Sequence, residues 1–477
     1  MSPIASDITQ ARLPLPILIS LSAATLTASL GISVASVLLP ALSNVFSVSV
    51  SDVQWVVLAY LMSVTVTIVS AGRLGDLFGR RRVLLWGLSL FILASGLCAM
   101  APSLGWLILG RSVQGFGGAI LIALPMSLAR DRIPAERLGA AMGLIGSTSA
   151  VGTALGPSLG GLLLSWGDWR MAFWLLAGIA VLTFLLSLSA LARDEEGHKS
   201  SLKDLDLWGT LVLVVALVAY ALATSGGVAV LPLDMGALVL LTLGALALFV
   251  FIERSATSPL VPMTLLMDRT TGIGFAMNWL VGTIMMSTLV VGPFFLAFSL
   301  GLNEALIGLV LAVGPAVAAL AGIPAGWLVD RFGADRVMIF GLLQTMIGLL
   351  CLAFLPLVFG VGGYVMALIL LTPAFQMFLA ANNTSVLMDA PSDQRGRLSG
   401  LLGLSRNLGL MTGASAMSSL FVLVLGTGDA TEAPATDVAH AFSMTFSGAA
   451  GLALITLGLA AYGAMGKRSR AAPGTAS

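Results

Sequence analysis

Charge is what this sequence has least of. Only 9% of its 477 residues are Asp, Glu, Lys or Arg, against 58% hydrophobic, whereas a soluble domain carries about 25% charged residues. Too little polar surface remains to cover a fold of this length in water, which excludes a soluble enzyme. The 23 basic and 22 acidic residues nearly cancel, to a net charge of +1, so there is no global field to attract nucleic acid. Histidine is reduced to His198 and His440, both read as belonging to aqueous segments. All 22 carboxylates fall in expected loops or at helix ends, so the convergent groups of a membrane enzyme are missing. No selectivity ring or filter of the kind a channel needs stands out either. The two cysteines, Cys98 and Cys351, lie in separate apolar runs, which excludes a disulfide framework or a spaced metal motif. The opening MSPIASDITQAR lacks a basic patch and a small-residue cleavage site, so no cleaved signal peptide is expected.

What the sequence does have is apolar length. A helix crossing the hydrocarbon needs about 20 mostly apolar residues. Fourteen such runs lie at approximately 15–40, 53–72, 83–102, 104–128, 139–164, 170–191, 208–226, 235–252, 273–299, 304–328, 337–357, 361–388, 398–426 and 441–465. Mean hydropathy is +1.03. Threading the runs back and forth places every basic residue on one side except Arg170, on the other, and Arg111 and Arg406, inside helices. That asymmetry is the positive-inside signature, and it predicts both termini on the cytoplasmic side. The 54 glycines suit helices that pack closely in lipid.

An internal repeat divides the chain. Gly-Arg-Leu-Gly-Asp-Leu-Phe-Gly-Arg-Arg-Arg from Gly72 aligns with Gly-Trp-Leu-Val-Asp-Arg-Phe-Gly-Ala-Asp-Arg from Gly326. Gly72, Leu74, Asp76, Phe78, Gly79 and Arg82 match Gly326, Leu328, Asp330, Phe332, Gly333 and Arg336. Each segment follows the second run of a block of six. The expected fold is an all-α membrane protein with two pseudo-symmetric six-helix bundles, at 1–200 and 265–477, and two additional helices with linkers at 201–264. Repeated halves around a central site are the architecture of alternating-access transporters. Pro259 and Pro262 argue against a continuous helix in the second linker.

At these residues the chain resembles the major facilitator superfamily, in particular its fourteen-helix drug:proton antiporter family. The segment Gly72–Arg82 is similar to the superfamily signature between helices two and three. Arg111-Ser112-Val113-Gln114-Gly115 resembles the Arg-x-x-Gln-Gly motif of helix four. Gly152 through Gly156, Pro157, Gly160 and Gly161 resembles the antiporter signature of helix five. Gln54, Trp55, Tyr60, Trp169 and Arg170 also fit. One departure is plain: in Gly31-Ile-Ser33-Val-Ala-Ser36-Val-Leu-Leu-Pro40, Gly31 stands where many relatives carry an acid.

The resemblance implies a secondary active exporter of drugs or other lipophilic small molecules, monomeric, in the plasma membrane of a bacterium. It implies no cofactor and no metal, with a proton gradient as the energy source. The departure at Gly31 leaves open a dedicated metabolite exporter or a uniporter without classical proton coupling. Gly72, Asp76, Gly79, Arg80, Arg81, Asp330 and Gly333 are expected to gate, Asp76 against the start of the helix near Leu398. Arg111, whose charge inside the membrane costs at least about 2.5–3.5 kcal/mol, is expected with Gln114 and Tyr60 at the cavity or in coupling. Arg406 is expected to be structural. Family analogy places Ser33, Ser36, Asn278, Met285, Met286, Gln376, Met377, Asn382 and Asn383 on a mostly apolar, uncharged cavity.

Overall fold

The computed structural model describes residues 15–133, 135–192, 207–224, 235–255, 267–388, 395–427, 430 and 433–471. The two expected linkers, and with them the boundaries at 200 and 264, lie largely outside these residues, as do residues 1–14. Every regular element described is helical, which is what lipid demands of a chain that must satisfy its own backbone N–H and C=O groups. The helices are α1 (Leu15–Phe46), the one-turn α2 (Val50–Val53), α3 (Trp55–Phe78), α4 (Arg80–Ala99), α5 (Leu104–Arg132), α6 (Ala135–Trp166) and α7 (Arg170–Ala190). They continue with α8 (Leu207–Thr224), α9 (Met235–Ser255), α10 (Arg269–Phe294), α11 (Glu304–Phe332), α12 (Ala334–Met388), α13 (Arg395–Thr412), α14 (Ser418–Leu425) and α15 (Ala435–Ala471). Among the described residues, eleven helices are long and apolar enough to cross a membrane, and the shorter Trp208–Thr224 is apolar as well. Leu320, Ile323, Val358 and Leu240 are among the side chains that face outward, as expected where lipid is the solvent.

The 55-residue α12 is not one rod. Gly360, at φ 55° and ψ −132°, breaks it, and the two arms fold back on each other. Gln344 Nε2 donates across them to the Leu370 carbonyl at 2.9 Å, and a Cβ on Gly348 would lie 2.9 Å from Leu371 Cα.

Two sets of helices result. In one, α1 packs on α5, α6 and α7, while α3 and α4 pack on α5. In the other, α10 packs on α13 and α15, and α12 on α11 and α15. The sets meet where α6 lies against α11, α3 against α13 and α1 against α10. The repeat seen in sequence recurs in the backbone. Gly79 joins α3 to α4 at φ 92°, and Gly333 joins α11 to α12 at φ 85°, a region that glycine enters without the Cβ penalty.

Helix α8 is fastened to the second set by hydroxyls. Tyr220 Oη donates to Thr412 Oγ1 at 2.8 Å, Thr224 Oγ1 to Ser415 Oγ at 2.7 Å, and Ser419 Oγ to the Thr224 carbonyl at 2.7 Å. These partners straddle a π-helical turn, Gly413–Met417, between α13 and α14. Such bulges loosen a helix locally.

Candidate functional site

Close helix crossings frame the site. Along α6, Gly152, Gly156 and Gly160 form a stripe spaced by four residues against α1. A Cβ on Gly152 would meet the Leu26 carbonyl oxygen at 2.9 Å, one on Gly156 the Val34 N at 2.8 Å, and one on Gly160 the Val37 side chain at 2.5 Å. The next residue, Gly161, faces the other set: its Cβ would lie 3.0 Å from Gly308 Cα of α11, whose own Cβ would press on Pro157. The second set repeats the device. Gly409 of α13 would place a Cβ 3.0 Å from Gly282 Cα of α10, and Gly413 one 2.8 Å from Met286 Cβ. Small residues let these backbones touch.

Between the crossings lies a cavity with an empty volume of about 1000 Å³, its open part included. Ile32 of α1 and Thr153 of α6 come from the first set. From the second come Met285, Met286, Thr288 and Leu289 of α10, with Leu311, Gly314, Pro315 and Ala318 of α11. The second arm of α12 adds Tyr364, Leu368, Leu371, Thr372, Phe375 and Gln376, and α13 adds Arg406 and Leu410. Among the described residues its walls are apolar, with a few donors and one cation.

Of the expected cavity residues, Met285, Met286 and Gln376 line this space. The others do not, and four of them found hydrogen-bond partners elsewhere. Ser33 Oγ donates to the Ser29 and Gly152 carbonyls at 3.1 and 3.3 Å, and Ser36 Oγ to the Ser33 carbonyl at 2.7 Å. Asn278 Nδ2 reaches the Leu402 carbonyl at 2.7 Å and Asn382 Nδ2 the Gly274 carbonyl at 3.2 Å, so both tie helices together. Met377 is buried against Gly341, and Asn383 is exposed away from the lining.

Arg111 is not on the lining either. It is fully buried, donating through Nε to the Val56 carbonyl at 2.8 Å and through Nη1 to the Gly31 carbonyl at 2.9 Å and to Gln114 Oε1. Its guanidinium lies 4.2 Å from the Tyr60 ring centroid. Gln114 Nε2 donates onward to Ser95 Oγ at 2.7 Å, and Tyr60 Oη to the Ala28 carbonyl at 3.1 Å. Gly31 is crowded: a Cβ would sit 2.9 Å from Phe91 Cζ and 3.3 Å from Tyr60 Oη, so a side chain there enters only if the Phe91 ring shifts. The backbone carbonyl of Gly31 is what Arg111 grips.

The expected gating residues are placed unevenly. The side chain of Asp76, and most of those around Leu398, lie outside the described ones. Gly79 makes the tight turn, whereas Gly72 has nothing within 4 Å of a Cβ, so close approach there is not what it provides; Gly75, with Leu124 Cδ2 at 2.8 Å, does that. Arg80 pairs with Asp131 at the end of α5 and donates to the Ser127 carbonyl at 3.3 Å. Arg81 donates to the Leu188 carbonyl at 3.0 Å. Asp330 is exposed at the end of α11.

The profile of the Major Facilitator Superfamily matches residues 21–289 and 271–476. The chain belongs to that superfamily. A multidrug resistance protein, Stp, of Mycobacterium tuberculosis is 32% identical over 399 residues, covering 81% of this chain and 72% of Stp. An uncharacterised transporter of Escherichia coli, YebQ, is 31% identical over 82% of this chain and 87% of its own length. A riboflavin transporter, RibZ, of Clostridioides difficile is 27% identical over 82% and 84%. In the fold, a bacterial homologue of the lysosomal transporter Spinster, inward-facing and occupied, superposes with TM-score 0.68 at 15% identity, over 94% of this chain and 96% of that one. This major facilitator protein is thus a multi-pass membrane transporter, and the cavity between its helix sets is the candidate site.

Two members of that site escaped the sequence reading. Arg406, expected to be structural, is exposed on the cavity wall, with no hydrogen-bond or ion-pair partner among the described residues. Tyr364 is fully buried, lines the same wall, and leaves its hydroxyl without a partner among them. An Arg deep in an apolar run was the available signal; its direction around the helix was not.

Proposed function

We infer that this chain is a fourteen-span secondary active transporter that exports amphipathic or lipophilic small molecules by alternating access. The cavity bounded by α1 and α6 on one side and α10 to α13 on the other carries the reading. A chamber with walls from both sets opens to opposite faces when the sets rock against each other. The glycine contact of Gly161 with Gly308 is a point where such rocking separates or closes the walls. The count of fourteen combines the eleven apolar helices with α8, with α6, and with the division of α12 at Gly360. The six-helix bundles take residues 1–200 and 265–477, the added pair 201–264, and both termini face the cytoplasm of a bacterial cell, with the monomer as the working unit.

Asp76, Asp330 and the following arginines hold the cytoplasmic ends in this scheme, and the α6 glycines serve as the flexible crossing. The name of Stp supports drug efflux, and that of RibZ supports a dedicated substrate equally well.

A specific observation favours the second reading of the energy source. Among the described residues Arg111 donates to two backbone carbonyls and Gln114 and to no carboxylate, its Nη2 has no partner, and an acid at Gly31 would have to displace the Phe91 ring. A dedicated exporter or uniporter without classical proton coupling fits that arrangement. The test is resistance profiling of cells expressing the chain against chemically varied toxic compounds, followed by flux in vesicles under an imposed pH gradient. Raised tolerance with gradient-dependent flux supports antiport. Flux indifferent to the gradient supports the uncoupled reading, and no flux of any compound refutes transport.

A further inference from the structure

We propose that the cavity binds amphipathic monoanions, a carboxylate or sulfonate on an apolar aromatic body, with Arg406 as the anchoring cation and Tyr364 as a second donor. Among the described residues Arg406 is the one charged residue on the wall. It stands some 11 residues beyond the start of α13, about 16 Å along the helix axis at 1.5 Å per residue. A guanidinium offers five donors and no acceptor, and it stays protonated. An exposed Arg at that depth, with no counter-charge among the described residues, draws an anion.

The neighbouring polar groups point the same way. Tyr364 is fully buried on the wall, and its hydroxyl lacks a partner among the described residues. Gln376 and Thr372 add donors to the same lining, whereas the Thr288 hydroxyl donates to the Met285 carbonyl at 2.8 Å. Among the described residues no carboxylate is on the wall to receive a cationic substrate. A single cation balances a single negative charge, and a second one held in the apolar chamber would be uncompensated. The remainder of the ligand meets Met285, Met286 and Phe375, soft surfaces that fit an aromatic ring rather than a sugar.

Backbone contact fixes the point from which the Arg406 side chain springs. The Arg406 carbonyl oxygen lies 2.8 Å from where a Gly282 Cβ would be, so α13 is pressed onto α10 at this very residue. Such a ligand is cargo only if the cavity transports, so its status as substrate rests on the transport reading above. The affinity order is measurable without flux.

Three probes with one body separate the cases: naphthalene sulfonate, naphthalene methanol and naphthyl-trimethylammonium, measured by equilibrium dialysis on the purified full-length chain. The expected order is sulfonate at least tenfold tighter than the alcohol, and the ammonium weakest. Arg406→Gln is expected to remove the preference and Arg406→Lys to keep most of it. Tyr364→Phe is expected to weaken the sulfonate several-fold while leaving the alcohol unchanged. Equal binding of all three by the unmodified chain, or a preference for the ammonium, overturns the proposal even if no variant folds. So does a monodisperse Arg406→Gln protein that still prefers the sulfonate. Neutral or cationic flux without anion preference refutes the anion site and leaves transport standing; anion preference with no flux of any compound does the reverse.

Discussion

Gly161 of α6 and Gly308 of α11 meet across the seam between the two helix sets, each occupying the space where the other's side chain would begin. Cysteines at both positions, in a chain freed of Cys98 and Cys351, are expected to form a disulfide on mild oxidation. Flux should then fall at least tenfold and return on reduction. Full flux in the cross-linked protein would show that the seam does not open during turnover.

Arg111 is held by two backbone carbonyls and Gln114. Replacing it with Met removes three hydrogen bonds from a cation and leaves Gln114 Oε1 without its donor in a buried place, at about 1–3 kcal/mol for that group, while the two carbonyls keep their own helix N–H partners. The expected result is a drop of several degrees or more in the unfolding temperature in detergent. A variant as stable as the parent, but insensitive to the pH gradient, would assign Arg111 to coupling instead.

Gly31→Asp puts an acid at the position where the family resemblance leads one to expect it. With Phe91 at 2.9 Å from the new Cβ, the yield of monodisperse protein should collapse, and adding Phe91→Ala should restore part of it. Unchanged yield from the single variant would mean that Phe91 swings aside at little cost.

Tyr220→Phe with Thr224→Val unfastens α8 from Thr412 and Ser415. Hydrogen bonds between helices in lipid contribute about 0.6 kcal/mol each on average, so the stability loss should be near 1 kcal/mol by unfolding in detergent. If the π turn Gly413–Met417 is a moving part, flux changes by more than that loss explains.

Asp76→Asn is expected to slow turnover several-fold with binding nearly unchanged, and Asp330→Asn, exposed at its helix end, to do less. Weakened binding with intact turnover would move Asp76 out of the gating role.

Much of the helical fold was legible in the sequence, because apolar length and Lys/Arg bias are long-range averages that survive errors at single residues. The repeat was legible for a local reason: Gly79 and Gly333 both take backbone angles that other residues avoid. The glycine stripe of α6 was legible from its spacing of four. The site was less so. Depth in an apolar run is written in the sequence, but the direction a side chain takes around its helix depends on partners in distant helices. Ser33 and Ser36 turned back to carbonyls and Asn278 and Asn382 bridged helices, whereas Arg406 faced the open chamber. The clasp of Tyr220 and Thr224 was silent because its partners lie more than 190 residues away.

That clasp also limits what can be cut away. Excising residues 207–255 would take the Thr224 oxygens from Ser415 and Ser419, and the Tyr220 hydroxyl from Thr412, exposing part of α13 and α14 to acyl chains. A shortened chain would need apolar replacements along that flank before it could be inserted stably, so α8 is wired into the second helix set rather than appended to it.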